Sequence, residues 1–211
     1  MTGEHWAGYT FPVGGVSGVR AQWTEPTVTG PSGAEEFVWV GIGGWGTTVQ
    51  NIIQIGTFAY FPNAHQTNQG IWYENVPGPL AQFPLIDVSP GDGIAASVVQ
   101  AGSAQDEWRI SLDDVTSGQS FTKVLKFDSL DAYPSFVVED PNSGPPGPAG
   151  PFFPFPRWGE VSFSDMQIRI SGTWKPAAAF YGYQVQMIRD GRTLATAGPL
   201  DMRSGFTAHQ Q

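Results

Sequence analysis

Short runs in which apolar and polar residues alternate follow one another along almost the whole chain, and turn signals separate them. Successive side chains of a β-strand point to opposite faces of a sheet, so a period of two predicts strands. The 27 glycines and 18 prolines are dispersed between these runs, which is typical of many turns joining many strands. The pattern predicts an all-β fold, either a sandwich or a barrel, with little helix.

The alternating runs predict strands at 21–28, 35–42, 51–61, 69–76, 83–88, 93–100, 107–115, 119–127, 135–140, 158–170, 180–189, 193–198 and 205–209. Asp190-Gly191, between "YQVQMIR" and "RTLATA", is a hairpin signal. A chain of 211 residues accommodates one all-β domain or two small ones. We expect a single domain over residues 1–211.

The composition excludes several classes of function. With 40% hydrophobic and 14% charged residues, the chain can build a core. A formal net charge of −9 argues against nucleic-acid and anionic-membrane partners. The chain has no cysteine, and His5, His65 and His209 lack the spacing of a zinc site. Phosphate-binding, dinucleotide-binding and nucleophile-elbow motifs are missing too. We expect no metal and no cofactor, so any catalysis would rest on carboxylates.

The first residues of the chain do not decide whether the protein is intracellular or secreted. The stretch "MTGEHWAGYT" lacks the basic and apolar regions of a signal peptide, and no run of about 18 apolar residues occurs. Either the protein is intracellular, or a leader and a pro-segment have been removed.

One segment interrupts the alternation: "PNSGPPGPAGPFFPFP", residues 141–156. Proline cannot donate to a sheet ladder, so a surface connection or a domain linker is the simplest interpretation. A long loop within one domain is favoured, because Phe152, Phe153 and Phe155 would be awkward in a free linker. Loops of this length are often functional.

Gln54 is a neutral amide in the middle of the apolar run "NIIQIGTFAYF". Alternation separates one aliphatic face of several strands from a second face that bears aromatic, amide and carboxyl groups. The residues predicted on this second face are Phe37, Trp39, Ile52, Gln54, Gly56, Phe58, Tyr60, Trp72, Glu74, Val137 and Glu139. An aromatic face with a few polar groups is typical of a substrate groove. In the alternative interpretation Trp39 and Trp72 cap the edge of the core, Gln54 is a satisfied buried amide, and Glu139 is a strand-end carboxylate.

These residues resemble those of the glutamic peptidases, also called eqolisins. The family has its catalytic Gln in a strand after a "WVGIDG"-like turn and its catalytic Glu in a "VED"-like strand end. Here the corresponding stretches read "VWVGIGG" followed by "NIIQIGT", and "SFVVEDP". The similarity extends through "WTEPTV", "WYENVP", "PGDG", "WGEVSFSD" and "SGFTAHQ", so it covers nearly the whole chain.

The resemblance implies a two-sheet antiparallel β-sandwich of the lectin-like, concanavalin type, in the form of a jelly roll, whose concave face binds an extended peptide. It places Gln54 and Glu139 as the catalytic pair of an acid-acting, pepstatin-insensitive endopeptidase. Trp39, Trp72 and Glu74 match substrate-binding positions of the groove. It also implies secretion, and we expect a monomer.

The chain departs from the family pattern at two places. Gly43 stands where the family has Asp, and "YENVP" has Asn75 and Val76 where "YEWYP" would supply a second aromatic side chain. Fungal members carry disulfides that this chain lacks, so it looks more like a prokaryotic relative.

Two other functions remain open. A glycoside hydrolase on a lectin-like sandwich would use Glu74 and Glu139 as its carboxyl pair. A carbohydrate-binding module would stack sugars on the Trp and Tyr side chains without catalysis.

Overall fold

A computed structural model describes residues 1–46, 51–78, 81–83, 86–102, 106–142 and 151–211. Of the predicted loop at 141–156, residues 143–150 lie outside the described part. The described residues include no helix with the length and apolar character needed to cross a membrane.

The chain forms strands throughout, as the alternation predicted. They are β1 (Thr2–Gly3), β2 (Trp6–Thr10), β3 (Val16–Thr24), β4 (Glu35–Gly43), β5 (Ile52–Asn63), β6 (Gln66–Val76), β7 (Ala81–Phe83), β8 (Gly93–Gln100), β9 (Glu107–Asp114), β10 (Ser120–Lys126), β11 (Pro134–Glu139), β12 (Glu160–Ile170), β13 (Thr173–Pro176), β14 (Tyr183–Arg189), β15 (Arg192–Ala197) and β16 (Phe206–Gln210). A 3-10 turn covers Ala177–Ala179. The all-β prediction is confirmed.

Some predicted boundaries were wrong. In place of a strand over 83–88 the structure has β7, Ala81–Phe83, while Ile86 and Val88 are buried without belonging to a strand. Burial of alternate residues in a loop therefore imitated a strand pattern. The pattern also missed β1, β2 and β13. Strand β13 follows β12 through Ser171-Gly172, where both residues have positive φ, as a two-residue hairpin turn of type I′ requires.

The strands form two layers that share β14, which pairs with β15 on one side and with β2 on the other. The hydrogen-bonded order is β10-β9-β8-β3-β12-β16-β15-β14-β2-β11-β4-β5-β6-β7, with β13 beside β12. We call the part from β10 to β14 the back sheet and the part from β2 to β7 the front sheet. Neighbours along this order are antiparallel, whereas β1 joins β14 in parallel. This is the two-sheet antiparallel sandwich that the resemblance implied.

The main core fills the space between the layers. Strand β4 directs Val38, Val40 and Ile42 into it, and β5 directs Ile53 and Ile55. These residues are fully buried, and the aliphatic faces predicted from alternation are therefore confirmed.

The opposite, outer face of the front sheet carries a second and smaller cluster. Its buried members are Phe37, Trp39, Ile52, Phe58, Trp72, Val76 and Val137, with Trp6 and Tyr60 packed against them. We call this the outer cluster. Gly56 lies in its middle, and a Cβ there would come within 1.9 Å of the Val38 carbonyl oxygen of the next strand. Glycine thus permits a close approach of neighbouring strands at this point.

Candidate active site

Gln54 lies on the outer face of β5, between β4 and β6. Its register partners are Gly41 and Glu74, and its Nε2 donates to Oε2 of Glu74 at 3.0 Å. A Cβ at Gly41 would lie 2.8 Å from the Gln54 Cβ, so glycine makes room for the amide. The side chain is 5% exposed, and its Oε1 has no partner among the described residues. Glu74 therefore fixes which way the amide points.

Glu139 is the last residue of β11, and two indoles hold its carboxyl group. Trp39 Nε1 donates to Oε2 at 2.7 Å, and Trp6 donates a second side-chain hydrogen bond. Burial is the main cause that raises the pKa of Glu139 to about 7, and the charges of Glu74 and Asp140 act in the same direction, whereas both indole bonds lower it. The group is thus poised to exchange a proton.

Glu74 links the two predicted catalytic residues. Burial raises its pKa, and the hydrogen bond from Gln54 acts in the opposite direction. The negative charge of Glu74 also disfavours ionisation of Glu139, so these carboxyl groups do not titrate independently. The amide and the two carboxyls form one electrostatic unit on the outer face.

Trp39 and Trp72 form the floor of this face instead of an exposed aromatic surface. They are 0% and 1% exposed. Trp72 packs against Phe37 with ring centroids 4.5 Å apart, and its Nε1 donates to the Thr57 carbonyl at 2.9 Å. Both belong to the outer cluster, not to the edge of the main core. Direct contact between either ring and a substrate remains a prediction.

Trp6 is a site residue that the sequence pattern did not identify. It lies on β2, opposite Glu139 in the ladder, and packs edge-on against Trp39 with centroids 4.9 Å apart. Alternation in "WAGYT" was a signal for β2, because Ala7 and Tyr9 point into the core. The run is short and contains Gly8, whose missing side chain weakens the pattern.

The two described ends of the 141–156 segment lie beside Glu139. Asn142 and Phe152 form an isolated bridge, and Phe152 packs between His5, at a centroid distance of 4.7 Å, and the Arg189 guanidinium, 3.3 Å from the ring centroid. Arg189 also forms an ion pair with the buried Asp140. The base of the segment is thus fixed next to the end of β11.

Among the described residues, no group of three or more His, Asp or Glu side chains is arranged to hold a metal ion. What the outer face supplies is one oriented amide and two carboxyl groups of raised pKa, and the charge of Glu74 acts on Glu139.

Comparison with known proteins gives consistent results. The Peptidase A4 family model matches residues 4–204. The chain is 27% identical to aspergillopepsin-2 of Aspergillus niger over 194 residues, covering 81% of this chain and 66% of that protein. It is 27% identical to scytalidopepsin B of Scytalidium lignicola over 175 residues, covering 80% of this chain and 65% of that protein. The chain therefore spans slightly less than two thirds of both relatives.

Solved structures show the same fold. A scytalido-glutamic peptidase crystallised with a transition-state analogue inhibitor superposes with a TM-score of 0.83 at 22% identity, covering 99% of this chain and 98% of the other. Aspergilloglutamic peptidase from Aspergillus niger superposes with a TM-score of 0.69 at 24% identity, covering 84% and 99%. The family match covers nearly all of the described chain, and the chain therefore belongs to the Peptidase A4 family, the glutamic peptidases or eqolisins that its sequence resembles.

Proposed function

We propose that this protein is an acid-acting endopeptidase in which Gln54 and Glu139 carry out peptide-bond hydrolysis. The observation that supports this most directly is the pairing of an amide oriented by Glu74 with a carboxyl group whose pKa burial raises to about 7. Family membership supports a peptidase. A peptide-based transition-state analogue bound to one solved relative supports an extended polypeptide as substrate.

Glu139 acts as general base and then as general acid. Its ionised carboxylate accepts a proton from water as the water oxygen attacks the peptide carbonyl carbon. It then returns that proton to the departing nitrogen as the C–N bond breaks. Trp39 and Trp6 donate to the carboxylate, so they hold it in place and favour its charged form.

Gln54 stabilises the oxyanion that forms in the same step. Its Nε2 carries two hydrogens, of which one goes to Glu74. The other has no acceptor among the described residues and is available for the developing negative charge. Deleting one such donor costs about 2.7 to 4 kcal/mol in another hydrolase. Because an amide does not titrate, this donor is present at any pH.

Trp39, Trp72 and Glu74 complete the substrate-binding face in this proposal. The two indoles support its floor, and Glu74 both orients Gln54 and borders the bound peptide. The Pro/Phe-rich segment, anchored at Phe152, borders the groove and shapes subsites. Family resemblance also supports a secreted, pepstatin-insensitive enzyme. The absence of cysteine supports a prokaryotic type, and the proposal includes a monomer that acts as one domain.

For the enzyme to act at acid pH, the Glu139 carboxyl group must be ionised there when substrate is bound. With a pKa of about 7, the Glu139 carboxyl group of the free enzyme is mostly protonated at acid pH and cannot accept a proton from water. A bound water and the substrate add donors that favour the ionised form. The acid limb of kcat, which reports the enzyme–substrate complex, should therefore lie at lower pH than that of kcat/KM, which reports the free enzyme.

The test is cleavage of a denatured protein from about pH 2 to pH 7, with pepstatin present to suppress aspartic peptidases. Wild type, Gln54→Ala and Glu139→Gln are compared, with Glu160→Gln as a control because Glu160 is an exposed side chain of the back sheet. Acidic cleavage by wild type and the control that both other variants lose would support the proposal. Cleavage that survives both changes would refute it.

A glycoside hydrolase is the second candidate, because the charge of Glu74 acts on Glu139 as in a carboxyl pair. The hydrogen bond from Gln54 to Glu74 favours the peptidase. The glycoside hydrolase would become the favoured function if the wild type hydrolysed a member of a polysaccharide panel but no protein, and if Glu74→Gln and Glu139→Gln lost that hydrolysis. A carbohydrate-binding module is disfavoured, since the Trp39 and Trp72 rings are covered.

A further inference from the structure

A polar cleft of about 400 Å³ lies at the end of the back sheet where β3 begins and where β8 and β12 end. Its walls include Ser17 of β3, Arg169 of β12, Ser171 in the turn after β12, and Asp131 in the loop before β11. The volume falls within the range of small-molecule sites, about 300 to 1,000 Å³. The proposed reaction uses none of these residues.

Arg169 supplies a positive charge to this cleft. Its neighbour Ile168 is buried in the core, so alternation places Arg169 on the outer face of the back sheet. A Cβ at Gly172 would lie 3.8 Å from a guanidinium nitrogen of Arg169, which puts the charged end of the side chain beside the turn that lines the cleft. Among the described residues, this guanidinium takes part in no ion pair and in no hydrogen bond. It is therefore available to an anionic group, and its planar fork fits a carboxylate.

A second guanidinium lies beside Arg169 on the same face. Arg20 of β3 is opposite Gln167, two residues before Arg169 on β12, which makes the two arginines diagonal neighbours. Arg20 also lies over the ring of Trp174, the ladder partner of Arg169 on β13, at 4.8 Å from the centroid. Its distance to Asp165 is 3.9 Å, and both side chains are more than 40% exposed, so this ion pair offsets little of the charge. The two cations favour an anion here, in a chain of net charge −9.

Asp131 brings a carboxyl group to the same cleft. Its N–H donates to Ser129 Oγ at 3.0 Å, and its carbonyl oxygen accepts from the Val16 N–H at 2.9 Å, so its backbone is held on both sides. Its φ is 50°, in the left-handed region that Asp and Asn adopt more readily than most residues. Asp131 and Arg169 form no ion pair with each other. The fold thus keeps two opposite charges apart in one cleft.

We infer that this cleft binds a dipeptide-sized peptide with free ends, whose terminal carboxylate binds Arg169 and whose terminal ammonium group donates to Asp131. Both charges of such a zwitterion meet a complementary group. The hydroxyl groups of Ser17 and Ser171 offer additional hydrogen bonds to its backbone. A peptidase releases peptides with both ends charged, so ligands of this kind arise at the enzyme itself.

The two charges restrict the ligand. A simple anion such as phosphate would be repelled by the Asp131 carboxylate, and the ends of a long peptide would be too far apart to reach both groups. The inference goes beyond the proposed function, because binding in this cleft requires neither Gln54 nor Glu139.

The test is a nuclear magnetic resonance titration of isotope-labelled protein at about pH 6 and low ionic strength, with Ala-Ala as the probe. Both ends of Ala-Ala are charged at this pH. We expect saturable shifts of the Gly102 and Gly172 amides, which line the cleft, with a dissociation constant on the order of millimolar. Ala-Ala amide, which lacks the carboxylate, should bind about tenfold more weakly. N-acetyl-Ala-Ala, which lacks the ammonium group, should bind about threefold more weakly.

Variants assign these preferences to side chains. Arg169→Gln should weaken binding of Ala-Ala about tenfold and remove the difference between Ala-Ala and its amide, whereas Arg169→Lys should retain part of the affinity. Asp131→Asn, which accepts the same backbone conformation, should remove the preference for the free amino group. Arg109→Gln is the matched control, because Arg109 is an exposed arginine separated from Arg169 by β3 and β8 in the ladder. Its affinity for Ala-Ala should equal that of wild type.

Three results would overturn the inference: no binding of Ala-Ala to wild type, equal affinity for Ala-Ala and its amide, or unchanged affinity in Arg169→Gln. Phosphate that binds as tightly as Ala-Ala would also overturn it, in favour of a site for simple anions. Cleavage of a denatured protein by Arg169→Gln should match that of wild type. Failure of the binding test therefore leaves the proposed peptidase function unaffected, and failure of the cleavage test leaves the binding result unaffected.

Discussion

The two faces of the front sheet both bury glutamates, but in opposite surroundings. On the outer face, Glu139 receives two indole hydrogen bonds. On the core side, Glu25 accepts from Thr57 at 2.7 Å and from Trp23 at 3.3 Å. Neither oxygen of Glu36 has a partner among the described residues. Burial raises the pKa of both core groups, and of Glu25 to about 7, the same value as for Glu139.

A raised pKa therefore does not by itself identify a reactive carboxyl group in this protein. What distinguishes Glu139 is its partial exposure on the outer face and its position on the same face as the oriented Gln54 amide. The core pair is closed to substrate. Its members are each 1% exposed and lie between the layers, where burial favours the protonated forms.

The largest expected effect is a difference in kcat between the same Glu→Gln substitution on the outer face and on the core side of the front sheet. Glu139→Gln should lower kcat by about 10² to 10⁴, because the general base is lost, while the protein remains folded. Glu36→Gln should leave kcat within about threefold of wild type, because that side chain faces the core. Turnover of a peptide substrate and circular dichroism of both variants measure the difference. Comparable loss of activity in both would contradict the separation of roles.

The second expected effect is a loss of stability toward neutral pH. Below about pH 4.5 the folded and unfolded chains both hold the Glu25 proton. As pH rises to about 7 the unfolded chain releases it and the folded chain retains it, so the free energy of unfolding falls. A shift of this size corresponds to a decline on the order of 3 kcal/mol, which Glu25 shares with Glu36 because the two carboxyl groups titrate as a pair. Urea unfolding at several pH values between 4.5 and 7 measures it.

Glu36→Gln sharpens that measurement. Since Glu36 has no hydrogen bond to lose among the described residues, its replacement should flatten the decline, whereas the exposed Glu160→Gln should follow wild type. Identical slopes for wild type and Glu36→Gln would show that Glu36 does not contribute to the pH dependence.

The smallest effect tests the donors around Glu139. Trp39→Phe removes the indole bond to Oε2, so the pKa of Glu139 should rise and the acid limb of kcat/KM should move to higher pH. We expect about a tenfold loss in kcat/KM on that limb. Trp72→Phe is the matched control, because its indole donates to a backbone carbonyl instead. An equal shift in both profiles would mean that packing, not the hydrogen bond, is responsible.

The sequence predicted the faces of this fold better than its contacts. Alternation placed Gln54, Trp39, Trp72, Glu74 and Glu139 on one side of the front sheet, because a period of two determines side-chain direction. Which residues meet across strands depends on register, and no local pattern encodes it. The pairing of Gln54 with Glu74 and of Trp39 with Glu139 therefore came only from the structure.

Contacts between distant parts of the chain explain two features that the sequence did not predict, the position of Trp6 at the site and the burial of Glu36. Trp6 joins the site because β2 pairs with β11, a contact between distant parts of the chain. Glu36 shares the face of Val38 and points into the core, yet a charged residue near a strand end is usually solvated. Its burial depends on the back sheet above it.

The shared strand β14 has a consequence for the order in which the protein can fold. Strand β2 lies between β11 and β14, so its neighbours on both sides are synthesised long after it. Contacts of such high sequence separation form slowly, and until then β2 presents two unpaired edges on a growing chain. The ladder that joins the layers, and that places Trp6 beside Glu139, is therefore closed late, when most of the polypeptide has already been made.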